Sequence, residues 1–183
     1  MNNCKVKEYL HSYCIDSQYC KTRDLRNIIK ENPYNINVME ICYHSDYFTE
    51  IVLDENKQAY VTSFDTIDNS TKYLQIQHSD RNDVITGNTK YTLLKFIEKY
   101  PLKTFDIMFI HDKYNDYNDV IDDVNNCFLL ANQNTIIIIE TDSKNKLLKK
   151  AWKDNVYKKK ISEIYTYNYE DDKEIIVGKF LFN

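Results

Sequence analysis

The sequence predicts one α/β domain built on a mostly parallel sheet with helices on both faces. Three observations carry this. From residue 36 to residue 140, apolar runs of strand length alternate with segments of helical period, and such alternation is the signature of a parallel sheet. The run TIIIIE, residues 135–140, is apolar on both faces, as a central parallel strand requires. The last two runs, 161–167 and 174–182, flank the turn-like NYEDDK and read as an antiparallel hairpin.

The elements follow in order. Residues 4–14 and 22–31 read as helices, the second with Thr22 as N-cap and Leu25, Ile28 and Ile29 on one face. Asn32-Pro33 closes it. INVMEI, 36–41, is a buried strand, and 45–57 is a helix with Phe48, Ile51 and Val52 on one face. AYVTSF, 59–64, is a second strand ending in Asp65. Residues 69–81 are polar with some helical character, and 82–88 is a third, weaker strand. Residues 91–99 repeat at helical period through Leu93, Leu94 and Ile97. FDIMFI, 105–110, is a strand, 116–131 a helix and 135–140 a strand. KNKLLKKAWKDNVYKKK, 144–160, is a basic helix before the hairpin.

Composition bounds the rest. At 183 residues the chain fits one domain, divided into N-terminal helices (1–33), a core (34–142) and a basic helix with hairpin (143–183). The net charge of −4 argues against broad nucleic-acid binding, which needs a dominant positive field. No apolar run approaches the roughly 20 residues of a membrane span, and MNNCKVKEYLHSYC lacks a signal-peptide core. A cytoplasmic protein without a membrane partner is therefore expected. Cys4, Cys14, Cys20, Cys42 and Cys127 include no Cys-x-x-Cys pair. They read as free thiols of a reducing compartment, and Cys4, His11, Cys14 and Cys20 fit no familiar zinc spacing. The 16 Tyr against 2 Gly and 2 Pro reflect compositional bias, so no single Tyr is taken as a signal.

In a sheet of this kind the ligand sits beyond the carboxyl ends of the strands. The residues there are Cys42 to Asp46, Asp65, Gly87-Asn88, His111 to Asn115 and Glu140 to Asp142. Read in order, these segments resemble a class I S-adenosylmethionine (SAM)-dependent methyltransferase. They look most like the small family-24-type methyltransferases, some of which giant viruses carry. The telling stretch is FDIMFIHDKYNDYNDVIDDVNNCFLLANQNTIIIIETD. It matches the family at Phe105-Asp106, Phe109-Ile110, Tyr117, Asp123, Asn126-Cys127 and the isoleucine strand. The resemblance covers roughly residues 36–142 and implies a Rossmann-like sandwich whose seven-stranded, mostly parallel sheet ends in an antiparallel pair.

The resemblance also assigns roles. Glu40 would support the amino group of SAM, Cys42 would lie in the cofactor loop, Asp65 would bind the ribose, and Gly87-Asn88 would contact the adenine. Glu40, Asp65 and Gly87 remain in place, but departures surround them. The family's Glu-Ile-Gly-x-x-x-Gly is here Glu40-Ile41-Cys42-Tyr43-His44-Ser45-Asp46. Both glycines are gone, where the backbone must approach the cofactor closely. Asp46 adds negative charge at a helix N-terminus that would otherwise hold the methionine carboxylate. SAM binding is therefore expected to be weakened. The family's acidic magnesium ligands become His111 and Glu140-Thr141, with Asp112 and Asp142 alongside. Magnesium prefers hard oxygen ligands, so no metal is expected.

Each candidate also has a plainer reading. Asp65 can be a turn or cap residue, and Glu40 a buried acid pinned by a backbone N–H. His111, the candidate general base, can be an ordinary strand-end residue, and so can His44. The basic helix 144–160 reads first as a solvated amphipathic helix with Leu147, Leu148, Trp152 and Val156 on its buried side. Its sharper reading is a surface for a protein or RNA partner. Three functions are weighed. The first is a degenerate methyltransferase-like protein, catalytically impaired and acting as a binding or interaction module. The second is a diverged but active SAM-dependent O-methyltransferase on a small molecule or sugar. The third is a pseudo-methyltransferase binding RNA or a cap-like nucleotide.

Overall fold

The computed structural model describes residues 17–31, 33, 36–41, 47–65, 80–111, 114–142 and 146–182. The expected helix 4–14, most of 69–81, the cysteine and histidine set at 4, 11 and 14, and residues Cys42, His44, Asp46 and Asp112 lie outside them.

Seven strands form one sheet: β1 (Asn37–Ile41), β2 (Tyr60–Asp65), β3 (Asn82–Thr86), β4 (Phe105–His111), β5 (Ala131–Asp142), β6 (Ile161–Asn168) and β7 (Lys173–Phe180). Their order is β3-β2-β1-β4-β5-β7-β6. The first five pair in parallel, and β7 joins β5 and β6 antiparallel, as the sequence predicts. The five described helices are α1 (Ser17–Lys30), α2 (Tyr47–Glu55), α3 (Thr89–Lys99), α4 (Tyr117–Leu129) and α5 (Leu147–Tyr157).

Strand alternation divides the core into two layers. Val38, Ile107, Phe109, Ile138 and Val177 pack against Leu25, Ile28 and Ile29 of α1 and Phe48, Ile51 and Val52 of α2. Met39, Ile41, Met108, Ile110, Ile137 and Ile139 pack against α3, α4 and α5, including Leu93, Phe96, Val124 and Trp152. The layers explain TIIIIE: successive isoleucines of β5 serve opposite faces.

Several boundaries differ from the sequence reading, each for a local reason. α1 starts at Ser17, so Thr22 lies inside the helix instead of capping it, and its hydroxyl donates back to the Gln18 carbonyl at 2.8 Å. α3 starts two residues early because Asn88 caps it, its side-chain oxygen accepting from the Lys90 N–H at 2.9 Å. β5 begins at Ala131, opposite Phe105, across a register shift. The basic helix is shorter than 144–160. It ends at Tyr157, and Lys159 turns the chain in the left-handed region at φ 55°. Cys20, expected as a free thiol, is disulfide-bonded. Absence of a Cys-x-x-Cys spacing is silent about cysteines that the fold brings together. Cys127 is free and buried.

The 2 glycines of the chain stand at 87 and 178. Gly178 of β7 lies under α5, where a Cβ would meet the Ser162 carbonyl and the Trp152 ring at 2.7 Å. Trp152 is itself buried, its indole N–H donating to Glu163 at 2.8 Å, so neither neighbour can yield cheaply. Gly178→Ala should therefore cost about 1–3 kcal/mol by overpacking. Urea unfolding of the variant checks this, and an unchanged midpoint would mean that the α5–β7 contact is looser than described.

Candidate functional site: a buried ion chain at the switch point

The sheet order reverses between β1 and β4, and in open α/β sheets the ligand crevice opens at that switch point, beyond the strands' carboxyl ends. Period-two alternation decides which residues face it. Val38, Phe109 and Ile138 point toward α1 and α2, so Glu40, His111 and Glu140, each two residues further on, point the same way. Register places them side by side: β4 is hydrogen-bonded to both β1 and β5, and His111 stands opposite Glu140.

The three side chains are joined. His111 Nε2 lies 2.9 Å from Glu40 Oε1, and Nδ1 lies 3.5 Å from Glu140 Oε2. Glu140 Oε1 in turn accepts from Lys21 Nζ of α1 at 2.6 Å. The result is an alternating chain, Glu40–His111–Glu140–Lys21, of two acids and two bases. Glu40 is fully buried, and the other three side chains are at most 14% exposed. The second oxygen of Glu40 accepts from Thr49 at 2.5 Å, with the Ser63 hydroxyl at 3.4 Å. Buried charges persist only when paired and hydrogen-bonded. Here each charge has a partner of opposite sign, and the chain is neutral as a whole.

Packing holds the imidazole in place. Its ring meets Phe109 edge-on at 4.5 Å, and Phe109 stacks on Phe48 of α2 at 4.0 Å. Burial alone would lower the pKa of His111. The hydrogen bonds and charges of Glu140 and Glu40 prevail and raise it from 6.5 to about 9. Burial would raise Glu140, but His111 and Lys21 bring it down to about 2. His111 is thus an imidazolium at neutral pH, with both nitrogens directed at carboxylates. It has no free lone pair with which to take a proton, so this state does not supply the candidate general base.

α1 closes the site from outside. Lys21 reaches β5, and Thr22 hydrogen-bonds the Tyr47 hydroxyl at the start of α2 at 3.0 Å. Asp24 accepts from Tyr169 at 3.1 Å, while Arg26 and Lys30 pair with Glu55 at the far end of α2. Lys21 also sits over the Tyr47 ring at 5.2 Å. Burial pushes the Tyr47 hydroxyl up to about 12.

The remaining candidates lie at the ends of β2 and β3. Asp65 is buried, and its carbonyl accepts from the Gly87 N–H at 2.7 Å. Gly87 has φ 141°, where an added Cβ would meet Thr92 at 2.8 Å. The backbone therefore requires glycine there whatever binds. Asn88 spends its side-chain oxygen on the α3 cap. Asp65, Gly87 and Asn88 are thus together, Glu40 and His111 form a second group, and Cys42 lies outside the described residues.

Two residues escaped the sequence reading. Lys21 fell one position before the helix start assigned to Thr22. Asp123 appeared only as a match to the resemblance. It is buried between α3 and α4 and accepts from Thr89 at 2.8 Å and Tyr114 at 2.9 Å. Burial, with Asp119 and Asp122 nearby, raises it to about 6. Among the described residues no group of three His, Cys, Asp or Glu is arranged to hold a metal ion. In the Glu40–His111–Glu140 set the donors point at one another.

The sheet order and layering define the class I methyltransferase fold, and comparison with solved structures agrees. The N-methyltransferase NodS of Bradyrhizobium japonicum WM9 superposes with a TM-score of 0.71 at 10% identity, over 91% of this chain and 97% of that one. A putative rRNA methylase of Clostridium thermocellum gives 0.69 at 13% identity, over 94% and 99%. An O-methyltransferase of Bacillus cereus in complex with SAH (S-adenosylhomocysteine) gives 0.70 at 15% identity, over 93% and 84%. No protein-family model and no curated protein matches the chain in sequence.

The ion chain gives stability a defined pH dependence. The raised pKa of His111 stabilises the fold fully below 6.5, and this is lost as pH rises through about 9. The lowered pKa of Glu140 stabilises it above 4.5, and this is lost as pH falls through about 2. Between pH 6.5 and 9 the His111 contribution, about 3 kcal/mol, should disappear. Denaturant unfolding across that range should show the decline in the native sequence and its absence in His111→Gln. An identical alkaline limb in the variant would assign it to another group.

Proposed function

We propose that this protein is a catalytically impaired methyltransferase-fold protein that serves as a binding or interaction module. The ion chain at the β1–β4 switch point carries this reading. In this fold the methionine half of SAM would lie against the end of β1 and the start of α2. The residues present do not fit it. The ammonium group would need Glu40, whose oxygens are held by His111 and Thr49. The carboxylate would approach two buried carboxylates and, in the loop that follows β1, Asp46. That loop also contains no glycine. To admit the ligand, His111 would have to release Glu40 and keep Glu140 alone, losing a buried charge-assisted hydrogen bond worth about 1.5–3 kcal/mol.

The ends of β2 and β3 favour a second reading. Asp65 and Gly87 keep the acid and the glycine that an adenosine half would use, and the fold is shared with an O-methyltransferase that binds SAH. Calorimetric titration with SAM and SAH near physiological salt separates the two. Absence of heat at millimolar ligand is the outcome expected of an impaired module. Micromolar binding abolished by Asp65→Ala would instead make the cleft a working cofactor site and favour methyl transfer.

A further inference from the structure

At the end of the sheet opposite the ion chain, the half formed by β4 to β7 has a composition of its own. Four segments far apart in sequence meet there: the α3–β4 loop, the α4–β5 turn, the α5–β6 turn and the residues after β7. Contacts join them into one face. Asn132 donates to Thr104 at 3.4 Å, and the Phe105 N–H donates to the Leu130 carbonyl at 3.0 Å. The Lys160 ammonium reaches Asn125 at 3.3 Å, and the Lys160 carbonyl accepts from the Leu181 N–H at 2.9 Å. Phe182 stacks on Phe128 at 5.0 Å.

Residues 99–105, 125–135, 157–162 and 179–182 contain no acid in a chain of net charge −4. They carry Lys99, Lys103, Lys158, Lys159, Lys160 and Lys179, and none of the six forms an ion pair among the described residues. The nearest acids in sequence are turned to other uses, except the exposed Glu98. Asp106 accepts from the Asn37 N–H, and Glu163 accepts from the Trp152 indole. Between the lysines stand strongly exposed apolar side chains, among them the two most exposed of the described residues: Leu102 at 94% and Tyr157 at 88%, with Leu129 at 62% and Leu181 and Phe182 beside them. Leu102 sits in a turn, Leu129 and Tyr157 end helices, and Leu181 and Phe182 follow β7.

We propose that this face docks on an anionic lipid bilayer, with the lysines meeting lipid phosphates and carboxylates and the apolar tips entering the headgroup region. Charge complementarity selects the partner. Six lysines without an ion pair, gathered on the β4–β7 side of an acidic protein, orient that side toward a negative surface. The apolar tips favour a membrane over nucleic acid: Leu102, Leu129 and Leu181 gain area in the headgroup region and offer bases no ring to stack on, and the exposed Tyr157 ring suits the same interface. Two signals, basic and apolar, are what reversible peripheral attachment requires. No described helix is long and apolar enough to cross a membrane, and peripheral docking needs none. The sequence reading weighed the lysines along helix 144–160 alone and expected no membrane partner. The face appears only when the four turns are brought together. Docked this way, the ion-chain end points away from the bilayer.

Flotation of the whole chain with phosphatidylcholine vesicles, with and without phosphatidylserine, tests this. Binding is expected only with phosphatidylserine and should weaken with salt. Replacing Lys158, Lys159 and Lys160 by Glu should cut partitioning by more than about a hundredfold, at roughly fivefold per lysine removed and again per acid added. Leu102→Ser with Tyr157→Ser should lower it about tenfold and leave the salt dependence in place. No flotation with phosphatidylserine would overturn the proposal. So would flotation indifferent to both variants, or binding to a single-stranded RNA oligomer alone with the same lysine dependence. All these substitutions are at exposed positions, so thermal unfolding should match the parent chain. The vesicle result is independent of SAM binding.

Discussion

His111 needs two carboxylates, and the two carboxylates need His111. Glu40, His111 and Glu140 are placed on one face of three adjacent strands by alternation and register, before any side chain chooses a rotamer. With His111 neutral or absent, two acids would stand buried within reach of one another. With it charged, the strand ends are electrically complete. Lys21 extends the same logic to α1, whose departure would break the Lys21–Glu140 ion pair. The helix that covers the site and the residues inside it are thus one electrostatic unit. The stacked Phe48, Phe109 and His111 rings make the unit rigid.

That unit sits where the class I methyltransferase fold would admit a cofactor. The fold survives around it because the fold depends on the two apolar layers and the right-handed parallel connections, none of which involve the crevice. The use of glycine points the same way. The chain retains 2 glycines, one where φ is 141° and one where a Cβ would strike the Trp152 ring. Both are required by packing or backbone geometry, and neither lies in the loop after β1. Strong compositional bias against glycine has thus spared the two positions the fold demands.

Much of the fold was legible. The isoleucine run, the helix periods and the terminal hairpin each follow from local pattern, while the seven-stranded sandwich was implied by the resemblance and the strand order came from the structure. Of the site, the strand-end positions of Glu40, Asp65 and His111 were legible, but their partnerships were not. His111 read as a candidate base or an ordinary strand-end residue, because its sequence neighbours say nothing of Glu140, which arrives from the next strand. The alternation that aligns Glu40, His111 and Glu140 was present in the sequence and could have exposed the pairing. Lys21 could not be found this way, since its place depends on how α1 docks. Asn88 read as a ligand contact, where the helix start two residues early shows a cap.

The protonation state of His111 tests the central claim most directly. Nitrogen-15 NMR of the histidine-labelled protein reports both ring nitrogens across a pH series. The ion chain predicts an imidazolium with both nitrogens protonated at neutral pH, titrating only near pH 9. A neutral tautomer at pH 7.5, titrating near the ordinary value of 6.5, would contradict it, and would return His111 to the crevice as a group able to accept a proton.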